Sequence, residues 1–540
     1  MTTSISNVSA KQAAQDRTAA RAEATPQKTK PLNELEQTWA GSAIFLTLCL
    51  AIVLTTLAFG TVDYWTLATF QAGAALIVVC WAVDAWRTGT LRLSANALQW
   101  PFIGLILLGL IQVLPFGSAG NAGGALDGAG LSNTLSLDPY ATRLVLIQLI
   151  ALFIYFAAVL AYMDSPRRLR TIVRTIVIFG FVLAFIAIIQ SLLSPTRIYG
   201  IREPRLAVPF GPFVNRHNFA GYMEMTLALP LGLMFTGAIE NEKRLLYLTA
   251  IALMGISLLM SGSRGGMISL VTMIFFLVAL SGFGSKVDGM TAEGAAQVRS
   301  VVLKVGLAFT LLLAIVVGVT LIGGESSVTR FVDSVNASDP TTGRTQIWKT
   351  TLEIIGAHPV AGAGLGAYGV AYTRFDPRNG INRPEQAHND YLQVLADAGI
   401  VGAVFGLFFI AALFRMGFKR RRSPDIFRRG VATGALAGCF AVLVHSFFDF
   451  TLHTTSNALL FLTLAALATT GGRVERVVKR RRRRRDVPYL PPREPRTLKP
   501  KEGEPVEDEY EDIFEYEDDF GSRAKFTQWW NDIKGNRRQR

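Results

Sequence analysis

Apolar runs of roughly twenty residues recur along most of this chain, and such a run crosses a hydrocarbon core of about 30 Å as a helix. They lie near residues 40–59, 64–86, 98–115, 140–163, 170–193, 218–238, 245–261, 265–283, 301–323, 393–417, 427–448 and 455–471. Backbone in lipid must satisfy its own amides and carbonyls, so runs of this kind specify helices. The expectation is an all-α integral membrane protein with about twelve transmembrane helices across residues 39–472. Composition agrees: 50% of the 540 residues are hydrophobic, 17% are charged and 34 are Phe. A soluble domain does not hide that much apolar surface.

Charge is concentrated in tails and loops, so the net +14 describes loop placement, and no nucleic-acid partner is expected. Cys49, Cys80 and Cys439 each sit inside an apolar run and read as small core residues rather than a disulfide frame or metal site. Residues 1–38 are polar, with no apolar core followed by a cleavage site, and read as a disordered cytoplasmic tail. Arg167-Arg168-Leu169-Arg170, Lys243-Arg244, Lys419–Arg422 and Lys479–Arg485 all fall on one side, which orients the bundle with both termini in the cytoplasm. The C-terminal tail, residues 473–540, begins with the arginine run Arg480–Arg485, an anchor for anionic inner-membrane lipids. An acidic stretch, Glu502–Asp519, and a basic, aromatic end follow, with the composition of disorder.

The opposite side receives the longest polar insert, about residues 325–389, which makes it a large periplasmic loop. Long loops between spans commonly carry function. This one holds Arg330, Arg344, Arg374, Arg378 and Arg383 where positive residues should be scarce, and shorter loops add Arg197, Arg202, Arg205, Arg216 and Arg264. Arginine grips phosphate through two parallel bonds and stays charged in any surroundings, so the pattern points to an anionic, diphosphate-bearing ligand.

Arg264 stands in Ser261-Gly262-Ser263-Arg264-Gly265-Gly266, where glycines let backbone approach a ligand; a tight interfacial turn with a snorkelling arginine is the alternative. Arg344 opens a short helix with Trp348 one turn later, a pairing that suits glycan and phosphate or, equally, an interfacial anchor. Gly362-Ala363-Gly364-Leu365-Gly366 lacks the strand and acidic partner of a dinucleotide fingerprint and reads as a compact turn after His358-Pro359.

His388 is the candidate proton acceptor, because a neutral imidazole can take a proton from an attacking hydroxyl. It precedes Asn389-Asp390, which can cap the tenth span; a polar residue at a helix entrance is the alternative reading. His217 is a second candidate, while His445 and His453 flank Ser446–Asp449 and can pair with Asp449. The histidines and carboxylates show no metal-ligand spacing and no close acidic pair, so neither metal nor cofactor is expected.

These segments together resemble the O-antigen ligase and polymerase superfamily of bacterial inner-membrane glycosyltransferases. The likeness runs through Phe59–Trp65, Thr134–Tyr140, Asn215–Gly221, Ser261–Gly266, the Gly343–Trp348 helix start, His358–Gly366, His388–Gly399 and His445–His453. It covers about residues 40–470 and neither tail. The resemblance implies an undecaprenyl-diphosphate-linked oligosaccharide donor and an inverting, metal-independent transfer at the periplasmic face of the inner membrane. It maps diphosphate binding onto Arg264 and Arg344, with Arg216 at a more variable position, and activation of the acceptor hydroxyl onto His388. Trp348, His217 and Asn389 stand as glycan or acceptor contacts. Acceptors differ among members: lipid A core, a lipid-linked glycan repeat unit, or a protein hydroxyl. A lipid-linked glycan transporter or flippase would place charges within the spans and alternate access across them. A non-catalytic subunit among polysaccharide assembly proteins is compatible with the long tail.

Overall fold

The computed structural model describes residues 38–115, 134–205, 207–282, 344–376 and 383–471, with positions 306 and 317 as isolated helical residues. In chain order the helices are α1 (Trp39–Leu57), α2 (Tyr64–Thr88), α3 (Gln99–Val113), α4 (Pro139–Tyr162), α5 (Pro166–Leu193), α6 (Arg216–Phe235) and α7 (Arg244–Met260). They continue as α8 (Arg264–Gly282), α9 (Arg344–Ala357), α10 (Tyr368–Phe375), α11 (Asp390–Arg420), α12 (Ile426–His445) and α13 (Thr455–Thr469). Short 3-10 turns cover Asn241–Lys243 and Thr451–His453. The expected span at 301–323, nearly all of both tails, and residues 325–343 and 377–382 of the large loop lie outside the described residues.

All the other expected spans fall on helices, but length and composition separate them. Among the described residues, seven helical segments are long and apolar enough to cross a membrane: α1, α2, α4, α5, α7 with its preceding turn, α11 and α12. α3, α8 and α13 are apolar but shorter. α6 carries Glu224 and Pro230 and is buried along nearly its whole length, as is α13. Both are wrapped by protein, where a helix can shorten or carry a polar group without meeting lipid. Among the described residues, seven of the twelve expected spans meet this measure, within an all-helical fold consistent with an integral membrane protein.

Aromatic side chains mark both ends of the first helices. Trp39, Trp86 and Trp100 are exposed at one end of α1–α3, and Tyr64, Trp65 and Tyr140 are exposed at the other. Amphipathic rings collect where hydrocarbon meets headgroups, so these are interfacial belts. At the Trp39 end, buried Asp84 accepts from Tyr162 at 2.8 Å and from Thr38, and pairs with Arg92 at 3.1 Å. Arg420 and Arg421 donate to the Thr469 and Leu280 carbonyls, answering the open C-terminal ends of α13 and α8. Part of the arginine excess read from the sequence thus ties helix ends together.

At the centre, α12 presents Gly430, Gly434 and Gly438 to α6 at four-residue intervals. A Cβ on Gly434 would stand 2.6 Å from the Ala228 carbonyl oxygen, so the two backbones are nearly in contact. Lipid supplies no hydrophobic drive between helices, and close approach over small residues replaces it. This pairing brings the N-terminal end of α6 beside the C-terminal end of α12.

The large loop docks onto the same end through a break in α11. Gly399 has φ +61°, and a Cβ there would lie 2.3 Å from the Val360 carbonyl oxygen. The glycine-rich stretch is a compact turn against that break: Ala363 N donates to Ala396 O at 2.8 Å and Gly364 N to Asp397 O at 3.1 Å. Gln112 of α3 clamps both strands of the contact, donating to Ala361 O at 2.6 Å and Asp397 O at 2.9 Å.

Candidate functional site

Asp449 lies between the end of α12 and the Thr451–His453 turn, with its side chain only 1% exposed. A carboxylate this buried needs partners. Phe450 N donates to Oδ1 at 2.9 Å, and His388 Nδ1 lies 3.3 Å from the same oxygen. Arg344 Nη2 donates to Oδ2 at 3.2 Å while Nη1 donates to Phe448 O, and His217 Nδ1 stands 3.7 Å from Oδ2. Burial alone would raise this acid. The His388 hydrogen bond and the charges of His217, Arg344 and His388 outweigh it and hold the carboxyl well below the usual carboxylate range.

His388 is placed by its backbone neighbours. Trp348 of α9 donates its indole N–H to Ala387 O at 3.0 Å, and Ala387 N donates to Gln393 Oε1 at 2.7 Å. Asn389 caps α11, its Oδ1 accepting from Tyr391 N and Leu392 N at 3.0 and 3.1 Å, while Nδ2 donates to Phe447 O at 3.1 Å. Between these anchors His388 takes φ +52°, a left-handed conformation a non-glycine residue holds only when its surroundings compel it. Its side chain is 32% exposed, and its ring meets Phe450 edge-on at 4.8 Å. Donation from Nδ1–H to Asp449 leaves Nε2 as the proton-accepting nitrogen.

His217 and the Ser261–Gly266 turn complete the mouth. His217 Nδ1 lies 2.9 Å from Ser263 Oγ, which is 3.4 Å from His445 Nε2. Burial, offset only in part by Asp449 and reinforced by Arg216, His445 and Arg344, pushes His217 down to about 4. Arg216 opens α6 and Arg264 opens α8, directly after Ser263. Gly262 takes φ +66°, a left-handed conformation that favours glycine, and lies in van der Waals reach of the Arg216 guanidinium.

The structure therefore gathers Arg216, His217, Arg344 and His388 at this mouth around Asp449, with Arg264 following Ser263 at the start of α8 and Trp348 and Asn389 bracing the His388 segment. The polar atoms of Asn389 are taken up by the helix cap and Phe447 O. Other arginines of these loops pair elsewhere: Arg202 with Asp63, Arg197 with Glu203, and Arg383 with Glu385. Arg330 and Arg378 lie outside the described residues.

One expectation is corrected. His445 and His453 do not pair with Asp449. His445 Nδ1 meets Glu224 of α6 at 3.2 Å, and His453 Nδ1 meets Asp390 at 2.9 Å. His445 is the last residue of α12 and faces α6, whereas the chain turns between Ser446 and Phe450 and sends Asp449 toward the loop. Asp449 as the hub, with Ser263 and Glu224 behind it, was missed; the one sequence signal was an isolated Asp in the apolar stretch Phe447–Phe450. Among the described residues, no group of three or more His, Cys, Asp or Glu is arranged to hold a metal ion.

Residues 249–407 match a family model described as O-antigen ligase. No match is found among the curated proteins. The matched stretch contains Arg264, Arg344 and His388, while Arg216, His217 and Asp449 come from segments on either side of it. The likeness to the O-antigen ligase family is thus carried by residues 249–407.

Proposed function

We propose that this mouth transfers a glycan from undecaprenyl diphosphate to an acceptor hydroxyl at the periplasmic face of the inner membrane, as a ligase or a polymerase. The observation that carries the reading is His388, held through Nδ1 by buried Asp449, which Arg344 also grips, with Arg216 close by and Arg264 opening the helix after Ser263. His388 Nε2 takes the proton of the acceptor hydroxyl as its oxygen attacks the anomeric carbon. The bond to the diphosphate oxygen breaks on the opposite face and the configuration inverts. Asp449 stabilises the imidazolium that forms, as a buried carboxylate does in other acid–base sites. The arginines hold the diphosphate and stabilise its charge as it leaves, so its protonation is scarcely needed. Arg344 serves both ends, because a guanidinium has five N–H donors and its bonds to Asp449 and Phe448 leave others for phosphate oxygens.

The test uses the purified full-length protein in nanodiscs with undecaprenyl-diphosphate-linked oligosaccharide. His388→Ala should keep donor binding while transfer falls by about 10²–10⁴, the range for a lost acid–base group. His388→Asn should be as inactive as Ala. An active Asn variant would reduce His388 to a structural residue and remove the base from the mechanism.

A further inference from the structure

We infer that the mouth is divided, and that its His453–Asp390–Asp397 half receives the acceptor sugar as a neutral polyhydroxyl ligand, leaving the arginine half to the donor diphosphate. The inference rests on the glycan-transfer reading above. It begins from a second imidazole that the mechanism does not use. His453 is 34% exposed at its side chain, and its Nδ1 lies 2.9 Å from Asp390 Oδ1. The other Asp390 oxygen accepts from Ser446 Oγ at 2.7 Å, so the carboxylate is fixed and the ring's outer nitrogen is Nε2.

The two imidazoles flank one phenyl ring. Phe450 lies 4.8 Å from the His388 ring and 6.4 Å from the His453 ring, edge-on to both. His453 is therefore separated from the candidate base by a single side chain, Phe450. Asp397, two helical turns along α11 from Asp390 and on the same helix face, acts electrostatically on His453. Its Oδ2 accepts from Gln393 Nε2 at 3.0 Å and Gly366 N at 3.3 Å, but its Oδ1 is buried with no hydrogen-bond partner. An unanswered buried carboxylate oxygen is costly and calls for a donor.

Sugar hydroxyls donate as well as accept, so they suit this combination of carboxylate oxygens and an imidazole N–H. A diphosphate suits it badly, because two carboxylates repel it, while the arginines across the mouth attract it. Burial disfavours a charged ring at His453, yet the hydrogen bond and charge of Asp390, with Asp397 behind, raise its pKa. That favours an N–H donor at Nε2 over a second base.

The experiment measures steady-state kinetics of the full-length protein in nanodiscs, with undecaprenyl-diphosphate-linked repeat unit as donor. The acceptor is a soluble repeat-unit oligosaccharide without the lipid diphosphate in one series and lipid A core oligosaccharide in the other. His453→Ala should raise the acceptor KM by about 10- to 100-fold, the loss of one or two well-placed hydrogen bonds. The kcat at saturating acceptor and the donor KM should stay near wild type. His453→Gln retains an amide donor and should shift the acceptor KM in the same direction by less, which keeps the test open if the Ala variant fails to fold. An unchanged acceptor KM in the folded variants, or a raised donor KM, would overturn the division of the mouth while leaving glycan transfer intact. Absence of wild-type transfer to either acceptor would remove both readings together.

Discussion

Replacing Asp449 by Asn removes a negative charge and almost no volume. The carboxylate uses both oxygens: Oδ1 for His388 and Phe450 N, and Oδ2 for Arg344. Asparagine offers one carbonyl oxygen and an NH₂ group. With the NH₂ toward Arg344, two donors face each other. With it toward His388, the imidazole must accept at Nδ1, which protonates Nε2 and abolishes the base. Either arrangement loses a charge-assisted bond of about 1.5–3 kcal/mol and leaves a partner unanswered at about 1–3 kcal/mol. Losses of roughly 3–5 kcal/mol correspond to transfer slowed by about 10²–10⁴. The assay is kcat with lipid-linked donor, run beside donor KM and thermal unfolding. Transfer within roughly threefold of wild type, at equal amounts of folded protein, would refute the hub role, since that is under 1 kcal/mol. The pH dependence carries a second check. Because the folded Asp449 carboxyl is held below its unfolded value, its contribution is complete above about pH 3.9 and is lost only as pH falls through the folded value. Titration of the Asp449 carboxyl itself should thus leave the stability gap between wild type and Asp449→Asn unchanged from about pH 5 to 8 and shrink it only in stronger acid.

Arg264→Lys and Arg344→Lys each replace a fork by a point charge and should lose roughly 1–3 kcal/mol of transition-state stabilisation; full activity in both would assign these arginines to anchoring. Gly399→Ala places a Cβ 2.3 Å from Val360 O at φ +61° and should lower the unfolding temperature, with a cost above the roughly 1–3 kcal/mol of backbone strain alone; an unchanged melt in detergent would mean the α11 break is not held by the loop turn. A cysteine at Thr373, on the large loop, should react with an impermeant reagent in cells stripped of the outer-membrane barrier, and one at Arg422 should not. The reverse labelling would invert the orientation and the proposed periplasmic site with it.

The length and spacing of apolar runs sufficed to locate the helices, because lipid offers backbone groups no partner outside the helix itself. Arg264, Arg344 and His388 stand out as candidates in the sequence, each at a polar interruption where a charge or imidazole contrasts with apolar flanks. The sequence could not say which helices face lipid: α6 reads as one more span, yet the glycine stripe of α12 draws it into the protein centre. Nor could it say which histidine meets which acid. His388, Arg344 and His445 join their carboxylate partners across 61, 105 and 221 residues. Pairings over such separations depend on helix packing and on the turn after His445, and His445, only four residues from Asp449, lies on α12 facing Glu224 instead. Local pattern set the elements, and the tertiary structure chose the partners, because a buried carboxylate takes whichever donors packing brings within hydrogen-bond distance.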